Sequence, residues 1–103
     1  MAKKAFEVLT ESMYYILMAF SKGEMCSTQV AQFVEGKTRG RVKLGPGTVY
    51  TVLMRFEEEK MIEEIARDEK RRVYRITEKG MERYQEKLSW MRACVLDSEE
   101  AVQ

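Results

Sequence analysis

The sequence predicts a mainly α-helical fold with a small β-hairpin, a winged helix-turn-helix followed by one long C-terminal helix. Three observations carry that expectation. The segment Leu44-Gly45-Pro46-Gly47-Thr48-Val49-Tyr50 opens a helix whose two sides differ in chemistry. Two β-prone runs flank an arginine-rich segment soon after it, between Ile62 and Thr77. An apolar seam at heptad spacing then closes the chain.

The first helix is marked by Thr10, an N-cap residue, with Glu11 in the first turn where a carboxylate favours the helix dipole. Leu9 and Tyr14 occupy the staple positions on either side of that cap. Leu9, Met13, Ile16, Leu17 and Phe20 then recur at helical spacing, up to a stop at Ser21-Lys22-Gly23. A shorter second helix starts at Ser27, read as its N-cap. Val30, Ala31 and Val34 form its inner edge, with Gln29, Gln32 and Glu35 outward. Gly36 to Gly45 reads as a basic loop.

Pro46 suits the first turn of the third helix, where its missing N–H has no partner to lose. Val49, Val52, Leu53 and Phe56 sit at i, i+3, i+4 and i+7 and make an apolar face. At roughly 100° per residue, Thr48, Thr51 and Arg55 fall on the other side. Glu57, Glu58 and Glu59 end the helix and would repel phosphate, so only its first two turns can approach a nucleic acid. Ile62 to Ala66 and Arg72 to Thr77 are the hairpin strands, with Tyr74 and Ile76 on one face and Arg75 on the other. The turn between them lacks the Gly or Asn of the commonest tight hairpins.

Thr77 caps the last helix. Met81, Tyr84, Leu88, Met91 and Val95 are spaced 3, 4, 3 and 4, a heptad seam flanked by Trp90 and Cys94. The seam is expected to meet a second copy of the chain; the alternative is that it packs back on the first helix. Residues 1–77 are thus read as the winged helix-turn-helix unit and 78–103 as a dimerisation helix with a frayed tail from Asp97. Met1 to Phe6 read as a short leading tail.

Composition bounds the function. A chain of 103 residues with 45% hydrophobic content builds one small core, and chains this short often gain stability by pairing. The net charge is +1, but its distribution is uneven. Gly36 to Phe56 holds five bases and no acid, Glu57 to Glu69 holds seven acids, and Lys70 to Arg75 holds four bases. Two basic islands around an acidic one fit a single nucleic-acid face. There is no His, so the common triads are out of reach, and Cys26 and Cys94 form no metal pair. No cofactor, no metal and no enzymatic activity are expected. No signal peptide or membrane-length apolar run is present, which places the expected compartment in the cytoplasm.

The expected partner is double-stranded operator DNA. Short Thr48 and Thr51 side chains let a helix enter the major groove, and Arg55 pairs with either a guanine or a phosphate. Arg41 and Lys43 lie where the backbone would pass, and Lys70, Arg71 and Arg72 where a wing would meet the minor groove or its phosphates. Trp90, Met13 and Met91 are the residues that would line a site for an apolar or aromatic effector; dimer packing is the plainer role for Trp90. A winged helix used only to bind proteins is the competing function. It would not need the basic islands.

These residues resemble the PadR family of bacterial transcriptional regulators, in particular its short subfamily with a single C-terminal helix. The resemblance runs through Leu9-Thr10-Glu11, Tyr14-Tyr15-Ile16-Leu17, Arg41 to Tyr50, Leu53 to Glu59, Met61-Ile62 and Arg71 to Gly80. It implies a winged-helix dimer held by the last helix, a repressor of detoxification or efflux genes that ligands relieve in several members. It also implies that Thr48, Tyr50, Thr51 and Arg55 lie on the recognition helix and Lys70, Arg71 and Arg72 on the wing. Two departures stand out. Lys60 replaces the glycine that usually ends the recognition helix, leaving that end either strained or extended. Cys26-Ser27-Thr28 replaces the usual His-Gly-Tyr at the start of helix 2.

Overall fold

A computed structural model describes residues 9–101, so the expected tail Met1–Phe6 lies outside the described residues, as do Val102 and Gln103. The elements in chain order are α1 (Glu11–Lys22), β1 (Met25–Cys26), α2 (Ser27–Lys37), α3 (Pro46–Glu58), β2 (Ile62–Arg67), β3 (Arg72–Ile76) and α4 (Glu78–Ala101). The strands form one antiparallel sheet in the order β1-β3-β2. This is the mainly helical winged-helix arrangement that the sequence predicts, with a third strand added.

Helix α1 starts as its caps dictate. The Met13 N–H donates to Thr10 Oγ1 at 3.1 Å, and Leu9 and Tyr14 are both buried in the core. Helix α2 starts one residue earlier than the Ser27 cap predicts. Its N-cap is Cys26, whose N–H donates to Gln29 Oε1 at 2.9 Å, the reciprocal half of a capping box. Cys26 is also the end of β1, which pairs Met25 with Tyr74 and Cys26 with Val73. One residue therefore closes a strand and opens a helix.

The core gathers Ile16, Leu17 and Phe20 of α1, Val30 and Val34 of α2, and Val49, Leu53 and Phe56 of α3 against Met61, Ile62 and Tyr74. The loop between α2 and α3 is shorter than the Gly36–Gly45 span expected, because α2 runs on to Lys37. It is also anchored. Thr38 Oγ1 donates to the Val34 carbonyl at 2.8 Å and accepts the Val42 N–H at 3.0 Å. Arg39 and Gly40 turn the chain through positive φ, after which Val42 is buried and Arg41 and Lys43 are exposed.

The hairpin turn closes without Gly or Asn because Asp68 does the work with its side chain. Asp68 Oδ1 accepts the N–H groups of Lys70 at 2.9 Å and Arg71 at 3.0 Å, and these bonds hold its carboxyl below the usual carboxylate range. Strand β2 bulges between Glu64 and Ala66, leaving Ile65 unpaired on the outer edge. Each strand end shifts by a residue from its expected place: Arg67 belongs to β2, and Thr77 lies past β3.

The end of α3 resolves the question raised by Lys60. The helix is not extended: it stops at Glu58, and Lys60 takes φ +62°. The Met61 N–H donates to the Phe56 carbonyl at 2.8 Å and the Lys60 N–H to Glu57 at 3.0 Å, a Schellman ending with a lysine in the left-handed position. Thr77 then ties α4 to this turn. Its hydroxyl donates to the Lys60 carbonyl at 2.7 Å and accepts the Gly80 N–H at 3.1 Å, and its own N–H donates to Met61 O at 3.0 Å. Gly80 sits so close that a Cβ there would lie 2.1 Å from the Met61 carbonyl oxygen.

Helix α4 is longer and more ordered at its end than the sequence indicates. The tail expected from Asp97 continues as helix to Ala101. It packs on its own domain as far as Met91: Tyr84 stacks on Tyr14 with centroids 5.2 Å apart, and Tyr84 and Met91 pack against the core. Burial first, and the neighbouring Tyr84 hydroxyl second, push the Tyr14 phenol up to about 12. Part of the heptad seam is thus used within the chain.

Two substitutions test this junction. Gly80→Ala forces a backbone shift and should cost about 1–3 kcal/mol, a fall in Tm of roughly 5–20 °C by thermal melting. Lys60→Gly removes the left-handed penalty and should raise Tm by about 4–8 °C for each kcal/mol relieved. An unchanged Tm in either variant contradicts the packing described here.

Candidate nucleic-acid interface

Helix α3 presents two chemistries because its apolar residues are consumed on one side. Val49, Leu53 and Phe56 are buried, while Thr48, Tyr50, Thr51, Met54 and Arg55 are exposed. The helix begins without a side-chain cap. Gly45 is the N-cap, Pro46 follows, and the first helical hydrogen bond runs from the Val49 N–H to the Gly45 carbonyl at 3.1 Å. Gly45, Pro46 and Gly47 are all exposed, so the positive end of the helix is covered by no bulky side chain of its own.

Several elements meet near this end. Ser27, Thr28 and Ala31 of α2 line a small cleft with Leu44, Pro46 and Val49. From the wing, Arg71 reaches back to Cys26, its Nη1 lying 3.9 Å from the sulfur at the start of α2. The turn of the wing, the start of α2, the end of the loop and the start of α3 are therefore contiguous. Lys43 and Lys70 are exposed and form no ion pair among the described residues.

Other expected contacts are engaged inside the chain. Arg41 forms an ion pair with Glu11, donates to the Tyr15 hydroxyl at 3.0 Å and lies 5.7 Å from that ring's centroid. It fastens the basic loop to the first turn of α1. Arg72 donates to Tyr74 Oη at 3.3 Å and lies 3.9 Å from Glu64, so it points along the sheet's Tyr74 side. Glu64 also takes both hydrogen bonds of Arg67, at 2.8 and 3.0 Å, which hold its carboxyl below the ordinary range. Arg75 pairs with Glu63 at 2.8 Å. The acidic run of β2 is thus answered by arginines of the same hairpin.

Sequence reading missed two features of this surface. Met54 is apolar and lies outside the polar set Thr48, Thr51 and Arg55, yet it is 40% exposed; Tyr50 beside it is 56% exposed. Helical spacing alone could have placed Met54 with Gly47 and Thr51. The pairing of Arg67, Arg72 and Arg75 depends on the register across the bulge, which a list of charges does not carry.

On α4, Met81, Leu88 and Met91 are half-buried, whereas Trp90 is 58% and Val95 55% exposed. Lys87 lies over the Trp90 ring at 4.3 Å, and Met91, Arg92, Val95 and Leu96 line a shallow apolar groove. Met13 packs against the core of its own chain. Among the described residues, no helix is long and apolar enough to cross a membrane, and no His, Cys, Asp and Glu group is arranged to hold a metal ion.

No curated protein is similar enough in sequence to register as a relative. Solved structures are similar in fold. A transcriptional regulator from Clostridium thermocellum is 20% identical with a TM-score of 0.76, over 99% of this chain and 100% of that one. A PadR-like transcriptional regulator from Bacillus cereus is 26% identical with a TM-score of 0.68, over 86% and 89% of the two chains. Bacillus subtilis PadR, solved in complex with operator DNA, is 18% identical with a TM-score of 0.66; the match covers 74% of this chain and 45% of that one. The family model described as "Transcriptional regulator PadR-like family" matches residues 16–86, from the middle of α1 into α4. The chain belongs to the PadR-like family and is a transcriptional regulator, not an enzyme.

Proposed function

We propose that this regulator represses transcription as a homodimer on an inverted-repeat operator, with α3 in the major groove and the β2–β3 wing beside it. The observation that carries the reading is the exposed side of α3, which holds Thr48, Tyr50, Thr51 and Arg55 directly after the basic loop. Lys43 supplies a phosphate contact before the helix, and Lys70 and Arg71 supply them from the wing. Arg41 and Arg72 are held by partners in their own chain, so their contribution to binding is secondary. The DNA-bound structure of Bacillus subtilis PadR supports the same reading by similarity of fold.

Pairing of two chains is supported by apolar surface that the single chain leaves in water. Trp90, Val95 and Leu96 are all more than half exposed on the outer part of α4. Large apolar side chains grouped along one helix are the usual mark of an association surface. In the pair, the Met81, Tyr84, Leu88, Met91 and Val95 seam is shared: its early members brace the domain and its late members meet the partner. Two recognition helices then lie about 34–36 Å apart, one turn of DNA. An apolar or aromatic effector that stacks on Trp90 would act at this joint.

Arg55→Glu combined with Arg71→Glu should weaken operator binding by at least about 100-fold in a gel shift. Arg75→Gln, which removes only a pair with Glu63, should leave it within about twofold. With ~6–10 phosphates neutralised, affinity should fall roughly 10³–10⁵-fold between about 50 and 200 mM salt. Full binding by the double variant would exclude this surface and favour a protein-binding role. Trp90 emission should shift to the blue as protein concentration rises and respond to aromatic compounds. A spectrum fixed at every concentration would count against the pairing, and one that ignores a panel of aromatic compounds would count against the effector.

A further inference from the structure

We infer that the outward side of α3 selects DNA by contact with thymine methyl groups, and that Met54 is a specificity-determining residue. The inference rests on the DNA-binding role proposed above and names what that same surface reads. At roughly 100° per residue, Gly47, Thr51, Met54 and Glu58 follow one line along the helix, opposite Val49, Leu53 and Phe56. Thr48 and Arg55 flank that line on one side and Tyr50 on the other.

The chemistry available along this line is restricted. The helix Pro46–Glu58 contains no Asn and no Gln, the residues that bond adenine through two hydrogen bonds at once. Arg55 is its one base, and it sits to one side. Glu58, the acid on the line, lies at the far end, where phosphate would repel it. What remains at the centre is a threonine γ-methyl, a methionine thioether and, on the flank, a tyrosine ring. In the major groove the matching apolar feature is the thymine C5-methyl.

Burial argues the same way. Met54 and Tyr50 leave large apolar area in water, and that area is removed from water only by something that covers it. Gly47 adds an independent indication. A Cβ at Gly47 would meet nothing within 4 Å, so packing within the chain does not require glycine there. A glycine in a helix generally costs stability relative to alanine. Here it keeps the first turn bare, which lets Thr51 and Met54 sink deeper into a groove.

Deoxyuridine tests this directly, because it keeps every hydrogen-bonding group of thymidine and lacks only the methyl. Duplexes are first selected from a random-sequence library by the full-length protein. The selected site is then remade with single thymidine-to-deoxyuridine replacements. At two or three neighbouring positions in each half-site, binding should weaken about fourfold per replacement, the effect of one buried methyl-sized group. Met54→Ala should erase most of that discrimination at one of these positions while leaving the salt dependence unchanged. Sites that bind equally well with deoxyuridine throughout would overturn the inference while leaving DNA binding intact. So would discrimination that Met54→Ala does not alter. If the library yields no bound duplex, the DNA-binding reading itself fails, and this inference with it.

Discussion

The split of α3 into a sealed side and an open side is the constraint on which the rest of the structure depends. Val49, Leu53 and Phe56 are almost completely buried against α1, α2 and the sheet, so the helix can neither roll nor slide. Close-packed interiors transmit such constraints because a rotated side chain would leave a void on one side and a clash on the other. Once those three residues are fixed, 3.6-residue geometry places Gly47, Thr51 and Met54 outward. The anchored loop before the helix and the Schellman turn after it hold both ends. Thr77 and Gly80 then carry the same rigidity into α4.

Electrostatics on this surface is decided by pairing more than by the number of charges. The wing carries arginines at 67, 71, 72 and 75, yet three of them are held by glutamates of β2. Such exposed pairs contribute little to stability, because water and salt screen them. Their larger effect is to cancel local charge and leave the basic potential concentrated at Lys43, Lys70 and Arg71. A protein with a net charge of +1 can therefore present a positive edge without a positive whole.

Much of this was legible in the sequence because it rests on local rules. The Thr10 cap, the Pro46 start and the apolar period of α3 each depend on residues only three or four positions apart. The two hairpin strands were legible to within a residue for the same reason. What escaped is non-local or too short to show a period. Strand β1 has two residues, and only its pairing with Tyr74 and Val73 makes it a strand. Cys26 displaces Ser27 as the α2 cap because the strand before it fixes its extended backbone. Gly80 enters the sequence reading only as the end of the segment shared with the family; its reason is the Met61 carbonyl brought against it by the fold. Met54 is not legible from the pattern, because an apolar residue on a polar side breaks the binary rule. Departures of that kind are where function tends to sit.

Accessibility at the centre of α3 tests the central claim most directly. In a Cys94→Ser background, where Cys26 is buried, Thr51→Cys introduces one reactive thiol on the outward line, and Gln32→Cys places a control on exposed α2 surface. Maleimide labelling of both is followed with and without the selected duplex. Slow labelling at position 51 only when DNA is present, with position 32 unchanged, is the predicted result. Equal labelling of position 51 in both conditions, while DNA is demonstrably bound, would show that α3 is not the element in the groove.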